Sequence, residues 1–196
     1  MNRTTLLRST AAIAAVALVP ALAAPADAAR RAVDDASGDM WKVEEGGANP
    51  TAAPGATVGD FLRTVYDHTE KRVIVKAKFV DLTPTGKRFT VWVEMRDQDH
   101  HKTFAGLQAT PANRAGEGFL FSNSGKDIDC KVRLRIDYDR NIVRAGFPRS
   151  CVGNPRWLQF STLSEQVRNS WSHAWLDNAQ TKEIDSRVWS TKVRAG

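Results

Sequence analysis

Several short segments of the chain alternate apolar and polar residues, which is the pattern of a β-strand that buries one face. Every second residue between 73 and 79 is apolar, and lysines occupy two of the remaining positions. Segment 88–96 alternates in the same way. The two segments would form a hairpin if Phe79 lies opposite Phe89, with a proline and a glycine in the connecting loop. The pattern therefore predicts antiparallel strands with a common apolar face.

Similar signals recur along the rest of the chain. Further strands are predicted at 61–67, 103–109, 118–122, 157–162 and 187–193. About eight short strands without alternating βαβ units indicate a mainly β fold, an antiparallel β-sandwich of the jelly-roll type.

Segment 162–175 also fits one short helix. Leu163, Val167 and Trp171 recur at helical spacing. Thr162 and Glu165 are spaced as in a capping box. The sequence leaves both structures open for this segment.

The two cysteines of the chain, Cys130 and Cys151, flank two more alternating segments. A turn at residues 140–141 would make these segments a hairpin, with Ile136 opposite Ala145 and Cys130 opposite Cys151. The pattern of residues 1–28 is that of a secretory signal peptide, and an exported protein folds where disulfides persist. We therefore predict a Cys130–Cys151 disulfide, which is worth roughly 3 kcal/mol in the chain-entropy model.

The first 28 residues have the three parts of a secretory signal peptide. Arg3 and Arg8 precede a charge-free run at 11–24, which is followed by Ala26-Asp27-Ala28. The run is shorter than the roughly 20 residues that span a bilayer. We expect cleavage after residue 28 and a secreted, extracellular product without a membrane anchor.

The mature chain divides into two parts by composition. Residues 29–59 are rich in Asp, Gly, Ala and Pro, which predicts a mostly irregular N-terminal segment. Residues 60–196 carry the strand patterns and are predicted to form the β-sandwich domain.

The protein is basic, with a formal net charge of +6, and removal of Arg3, Arg8 and Asp27 lowers this to +5. Such a charge favours anionic partners, for example a cell-envelope or extracellular polysaccharide. We expect no specific nucleic-acid partner, because no nucleic-acid-binding motif is present. The sequence gives no indication of the oligomeric state. Basic residues lie on the polar faces of several predicted strands, where they form either a solvated face or a cationic stripe: Lys76, Lys78, Arg88, Arg96, Lys131, Arg133, Arg135 and Arg144.

Several motifs resemble a group of uncharacterised secreted proteins of actinobacteria. These motifs are Asp35-Ala-Ser-Gly-Asp39, Gly59-Asp60, Asp67-His68, Lys78-Phe-Val-Asp-Leu82, Pro148-Arg-Ser-Cys-Val-Gly-Asn-Pro-Arg-Trp157 and Asp177-Asn-Ala179. Such proteins are similar to β-sandwich modules of the DOMON and family-9 carbohydrate-binding type. The resemblance implies binding without catalysis, and it brings no defined substrate, cofactor or catalytic residue.

Carboxylates near the mature N-terminus form one candidate metal site. Asp35 and Asp39 flank a glycine in a loop, and Asp60 begins a predicted strand. Carboxylate oxygens are the ligands that calcium prefers, and the extracellular space is rich in this ion. The alternative is that these residues only form turns. A structural calcium ion is the one cofactor that the sequence suggests.

Two other groups of residues are candidate ligand sites. Trp92 shares the polar face of its strand with Arg96, so this pair could bind a sugar ring and an anionic group. Segment 97–101 contains two aspartates and two histidines. Neighbouring side chains in extended backbone point to opposite sides, so a solvated hairpin turn is favoured there over a metal site.

The sequence as a whole favours a secreted, non-catalytic binding or surface-interaction module. Its ligand is expected to be a carbohydrate or an anionic envelope polymer. One alternative is an extracellular hydrolase that uses carboxylates such as Asp60 and Asp177. Another is a protein-binding or inhibitory module, which would expose an apolar patch.

Overall fold

The structure, a computed structural model, describes residues 29–44, 49–168, 173–184 and 187–196. The predicted signal peptide lies outside the described residues. No helix in the described part of the chain is long and apolar enough to span a membrane.

The described residues form fourteen strands and one short 3₁₀ turn. The first seven strands are β1 (Arg30–Asp34), β2 (Trp41–Glu44), β3 (Thr51–Ala52), β4 (Phe61–His68), β5 (Arg72–Phe79), β6 (Arg88–Arg96) and β7 (Lys102–Ala109). The remaining elements are β8 (Glu117–Ser122), β9 (Asp127–Ile128), β10 (Arg133–Asp137), β11 (Ile142–Pro148), the 3₁₀ turn Arg149–Val152, β12 (Trp157–Val167), β13 (His173–Asn178) and β14 (Val193–Arg194).

These strands form two antiparallel sheets. The smaller sheet has the order β1-β4-β5-β11-β10, and the larger has the order β3-β2-β13-β12-β6-β7-β8-β9, with β14 beside β12. The predicted mainly β fold with antiparallel sheets is confirmed. Strands β1 to β3 come from the segment predicted to be mostly irregular, and they add to both sheets.

Apolar side chains from the two sheets meet in one core. Tyr66 of the smaller sheet stacks on Phe160 of the larger, with ring centroids 4.4 Å apart. Phe79 and Phe89 meet edge to face at 5.6 Å. Each fully buried side chain of this size contributes roughly 1.5–3 kcal/mol through the area it removes from water.

The predicted hairpin between β5 and β6 is wrong. Strand β5 pairs with β4 and β11, whereas β6 pairs with β7 and β12 in the other sheet. Phe79 and Phe89 contact each other across the core instead of along a ladder. Alternation identifies the buried face of a strand, but it does not identify the neighbouring strand.

The predicted hairpin of β10 and β11 is present, with a register shifted by two residues. Ile136 lies opposite Val143, and Leu134 lies opposite Ala145. The turn takes up four residues, 138–141, instead of two. A shift of two residues leaves every side chain on its predicted face. The Cys130–Cys151 disulfide is confirmed, with Cα atoms 6.1 Å apart.

The helical alternative for 162–175 is wrong, because the described parts of this segment belong to β12 and β13. Polar residues Thr162, Ser164 and Gln166 occupy the buried face of β12. Ser164 Oγ donates to the Gly59 carbonyl, and Thr162 Oγ1 bonds the Tyr66 hydroxyl. The buried face of β12 therefore contains polar residues whose hydrogen bonds are made inside the protein. For this reason the sequence of β12 lacks the apolar–polar alternation that marks a strand with one buried face.

The strand predicted at 187–193 is also wrong for most of its length. Of these residues only Val193 lies in a strand, the short β14. The preceding residues contact the larger sheet through single bonds instead of a ladder. Arg187 pairs with Glu94 at 2.8 Å, and the Ser190 N–H donates to the Phe160 carbonyl at 2.8 Å.

Candidate functional site

Four aspartates come together where the N-terminal loop crosses from one sheet to the other. Asp35 directly follows β1, and Asp60 directly precedes β4, its neighbour in the smaller sheet. Asp39 lies just before β2, and Asp177 lies on β13, which pairs with β2 in the larger sheet. The fold therefore places these carboxylates at the junction of the two sheets.

Three of these side chains converge most closely. One carboxylate oxygen from each of Asp35, Asp39 and Asp177 lies within 4.8 Å of the other two. Asp60 is held beside them, because its Oδ2 accepts the N–H of Gly38 at 2.8 Å. Gly38 has φ +85°, a conformation that favours glycine. We call Asp35, Asp39, Asp60 and Asp177 the aspartate cluster.

The aspartate cluster is poorly compensated within the protein. Asp60 and Asp177 are each 1% exposed. Asp177 Oδ2 accepts the N–H of Phe61 at 2.6 Å, but its Oδ1 and the Oδ1 of Asp60 are buried without a hydrogen-bond partner. Both carboxylate oxygens of Asp39 also have none. Buried charges in this state carry a large desolvation cost.

The pKa values reflect this environment. Burial and then the Asp39 charge raise the pKa of Asp35 to about 7. Burial raises the pKa of Asp177 to about 8 against the opposing hydrogen bond from the Phe61 N–H, and the neighbouring aspartate charges add to the rise. Burial also raises the pKa values of Asp39 and Asp60. The charge of Asp39 thus disfavours the charged forms of Asp35, Asp60 and Asp177.

Asp35, Asp39 and Asp60, the residues suggested by the sequence, do lie near one another. Asp177 completes the closest group of three, although the sequence suggested it only as a hydrolytic acid. No spacing along the chain could have joined it to Asp39, because the pairing of β2 with β13 creates the contact. Catalysis by the Asp60 and Asp177 pair conflicts with their burial, which leaves a substrate no access to either carboxylate.

The outer face of the smaller sheet carries a dense group of positive charges. Arg135 lies directly opposite Arg144, which in turn lies directly opposite Lys76. The three cations thus form a row across β10, β11 and β5, with strands about 4.8 Å apart. Arg133 and Arg72 extend the group on one side of the row. We call Arg72, Lys76, Arg133, Arg135 and Arg144 the cationic face.

Two open depressions lie on either side of this row. One, of about 410 Å³, lies over Gly146 between Arg72, Arg133 and Arg144. The other, of about 250 Å³, includes Lys76 and Lys78 in its lining. A ligand lying across the sheet could therefore contact cations from several strands at once.

Few acids neutralise the cationic face. Asp137 lies 3.9 Å from Arg135, but within the described ranges no carboxylate lies within ion-pair distance of Arg72, Lys76, Arg133 or Arg144. The larger sheet contrasts with this arrangement. There Arg88 pairs with Glu165 at 2.8 Å, and Glu94 binds Lys102 and Arg187.

The cationic stripe predicted from the sequence is only partly on one sheet. Arg88 and Arg96 belong to β6 in the other sheet, and Lys131 precedes β10. Lys78 lies beside the cationic face and donates to the Arg140 carbonyl. The remaining predicted residues, together with Arg72, make up the cationic face.

Trp92 is half-buried on the outer face of the larger sheet. Its Nε1–H donates to Glu165 at 3.0 Å, and its ring meets Phe119 and Phe121 edge to face. Arg96 stacks on Trp189 instead, 4.5 Å from the ring centroid. The indole therefore packs among aromatic neighbours, and Trp92 and Arg96 contact different partners.

Residues 97–101 form the turn between β6 and β7. Asp97 Oδ1 accepts the backbone N–H groups of Asp99 and His101, both at 2.9 Å. Asp97, Asp99 and His101 each offer one ligand atom within 4.8 Å of the others, but Asp99 and His101 are exposed. The predicted hairpin turn is confirmed.

No protein-family model matches the chain, and no curated protein and no solved structure matches it. The aspartate cluster and the cationic face are therefore the features of this protein that point to a function.

Proposed function

We propose that this protein is a secreted, non-catalytic module that binds an anionic polymer of the cell envelope through the cationic face. The row formed by Arg135, Arg144 and Lys76 is the observation that carries the proposal. Like charges placed directly opposite on neighbouring strands destabilise a sheet. In the absence of a ligand these three cations repel one another, whereas a bound anion would attract all three.

The contrast between the two sheets supports the same function. Several cations on the larger sheet have carboxylate partners within 3.0 Å, as the Arg88–Glu165 and Lys102–Glu94 pairs illustrate. On the smaller sheet Arg63 and Arg30 also pair with Asp34 and Asp67. Four of the five residues of the cationic face, however, have no carboxylate within ion-pair distance among the described residues and are left for an external partner. Arginine suits this role, because its planar fork binds carboxylate and phosphate groups with two hydrogen bonds.

The shape of the face favours a polymer over a small anion. The two depressions are open, and the row between them spans three strands, or roughly 10 Å. Several weak contacts along a chain add up to a useful affinity, although each exposed charge pair contributes only about 0.2–1 kcal/mol.

Secretion is part of the proposal. The charge pattern and apolar run of residues 1–28 support export. The disulfide is compatible with an oxidising, extracellular environment.

A binding experiment tests the function. Mature protein, residues 29–196, is titrated into labelled polyglycerol phosphate, labelled polyuronate and neutral dextran at low salt. We expect binding to at least one anionic polymer and none to dextran. The two anionic probes distinguish a phosphate-rich polymer from an acidic polysaccharide.

A matched pair of double variants locates the site. Lys76→Gln with Arg144→Gln should weaken binding about tenfold, which corresponds to about 1.4 kcal/mol. Lys87→Gln with Lys126→Gln changes the net charge equally at exposed positions outside the cationic face, and it should leave the affinity within about threefold. Equal losses in both pairs, or binding to dextran as tight as to the anionic polymers, would contradict the proposal.

A further inference from the structure

We infer that Asp35, Asp39 and Asp177 form a calcium-binding site that ties the N-terminal loop to the junction of the two sheets. One oxygen from each of these three side chains lies within 4.8 Å of the other two. This site is separate from the cationic face, and its argument does not depend on the proposed function.

Several carboxylate oxygens of this group are buried without a partner in the described part of the protein. Asp177 is 1% exposed, and its Oδ1 is buried without a hydrogen-bond partner. Asp60, equally buried, adds a further oxygen without a partner beside the group. Buried polar atoms are nearly always satisfied in native proteins, so several such oxygens in one place indicate a missing positive partner.

No basic side chain of the described residues lies close enough to these aspartates to be that positive partner. The charge of Lys182 opposes the rise in the pKa values of Asp35 and Asp39. However, no lysine, arginine or histidine in the described residues lies within 4.0 Å of any carboxylate of the aspartate cluster. The site lies close to the protein surface, because Asp35 and Asp39 are only half-buried as residues, although both carboxylate oxygens of Asp39 are covered.

The type of ligand and the separation of the oxygens indicate which ion the site would bind. Calcium binds oxygens at about 2.3–2.6 Å, so oxygens on opposite sides of it lie about 4.6–5.2 Å apart. Separations within 4.8 Å fit inside this range. A largely buried set of three carboxylates also suits calcium better than magnesium, because magnesium loses water reluctantly and usually keeps several water ligands. Water molecules would complete the six to eight ligands of calcium.

The position of the site gives the ion a structural role. Asp35 and Asp39 belong to the loop that joins β1 in one sheet to β2 in the other, and Asp177 belongs to β13. A calcium ion bound here holds the loop against both sheets. Binding to the native state alone raises its stability by mass action.

The test is calcium titration of the metal-free mature protein, followed by calorimetry and thermal unfolding. Protein freed of metal with chelator and then dialysed should bind one calcium ion per chain. Its Tm should rise by about 5–10 °C at a hundredfold excess over Kd. Magnesium at the same concentration should raise Tm by less than half as much. The absence of calcium binding, or an equal effect of magnesium, would overturn the inference.

Variants place the site. Asp39→Asn removes a charge from a side chain whose carboxylate oxygens make no hydrogen bonds, so the variant should fold and lose at least tenfold in calcium affinity. Without metal its Tm should be no lower than that of the parent, because one repelling charge is gone. Asp177→Asn is a second variant with the same expectation, since its amide oxygen can still accept the Phe61 N–H.

Asp99→Asn is the matched control, because it alters the exposed acidic turn at 97–101 instead. It should retain both calcium binding and the rise in Tm. Loss of calcium binding in Asp99→Asn, or its retention in both Asp39→Asn and Asp177→Asn, would overturn the assignment of the site.

Discussion

His68 is a buried imidazole at the end of β4, with 0% of its surface exposed. Its Nδ1 lies 2.9 Å from the Val193 carbonyl oxygen, which requires Nδ1 to carry the proton. Its Nε2 is buried without a partner. Burial, with a smaller contribution from the Arg149 charge, lowers the pKa of His68. The folded protein therefore holds this residue neutral.

This arrangement predicts a loss of stability in acid. Below the ordinary histidine pKa of about 6.5 the unfolded chain takes up a proton that folded His68 resists, so the free energy of unfolding falls as the pH is lowered. The slope from one proton is at most about 1.4 kcal/mol per pH unit. His68→Gln should lose less stability between pH 7 and pH 5 than the parent does in urea unfolding. Equal losses would contradict the prediction, because both proteins share the same aspartates.

Gly86 shows how one backbone position limits substitution. It has φ +83°, and a Cβ at this residue would lie 2.7 Å from the Val167 carbonyl oxygen. Gly125 has a similar φ of +77° with no atom within 4 Å of a Cβ. The two glycines therefore share the backbone strain and differ in the steric clash.

Alanine at each of these glycines separates the two effects. Gly125→Ala should cost about 1–2 kcal/mol for the left-handed conformation alone. Gly86→Ala should cost about 1–3 kcal/mol more, because a backbone carbonyl must move. Denaturant unfolding of both variants measures the difference, and equal costs would show that the contact with Val167 is not made.

At the scale of elements, the disulfide secures the edge of the smaller sheet. Cys130 precedes β10, and Cys151 lies in the 3₁₀ turn that follows β11. Strand β10 is the last strand of its sheet, so it has a ladder partner on one side only. It also carries Arg133 and Arg135 of the cationic face.

Removal of the disulfide should therefore affect both stability and binding. The variant with Cys130→Ala and Cys151→Ala should lose about 3 kcal/mol in urea unfolding, because the bridge closes a loop of 21 residues in sequence. It should also bind the anionic polymer more weakly at temperatures well below its Tm, as β10 frays. A loss of less than about 1 kcal/mol would show that β10 is held by its ladder alone.

The strands that the sequence identified were those with apolar residues on the buried face, such as β5 and β6. The sequence could not assign their partners, because two apolar faces can meet along a ladder or across a core. The second half of β12 was not predicted as a strand, because Ser164 and Gln166 are buried polar residues whose hydrogen-bond partners lie far away in sequence.

The candidate sites were also predicted only in part, because local motifs are visible in the sequence and strand pairing is not. The local motif around Asp35 and Asp39 was visible in the sequence, whereas Asp177 joins it only through the pairing of β2 with β13. Basic residues were visible on many strands, but strand order decides which of them share a face. Lys76 and Arg144 become neighbours because β5 pairs with β11.

At the scale of the whole molecule, the two outer faces of the sandwich differ in kind. The larger sheet pairs its charges internally and covers Trp92 with aromatic rings. Among the described residues, Val188 is the only large apolar side chain that is clearly exposed, at 38%. The smaller sheet presents the cationic face, in which only Arg135 has a carboxylate within ion-pair distance among the described residues. This asymmetry gives the molecule one face suited to an external anion.

The central claim is that an anionic polymer binds to the smaller sheet, and chemical-shift mapping by NMR tests it most directly. Isotope-labelled mature protein is titrated with the anionic polymer that binds most tightly. The account predicts that the largest shifts fall on β5, β10 and β11, around Lys76, Arg133 and Arg144, and that added salt reverses them. Shifts centred on Trp92 and its neighbours in β6 to β8 would contradict the account and assign binding to the larger sheet.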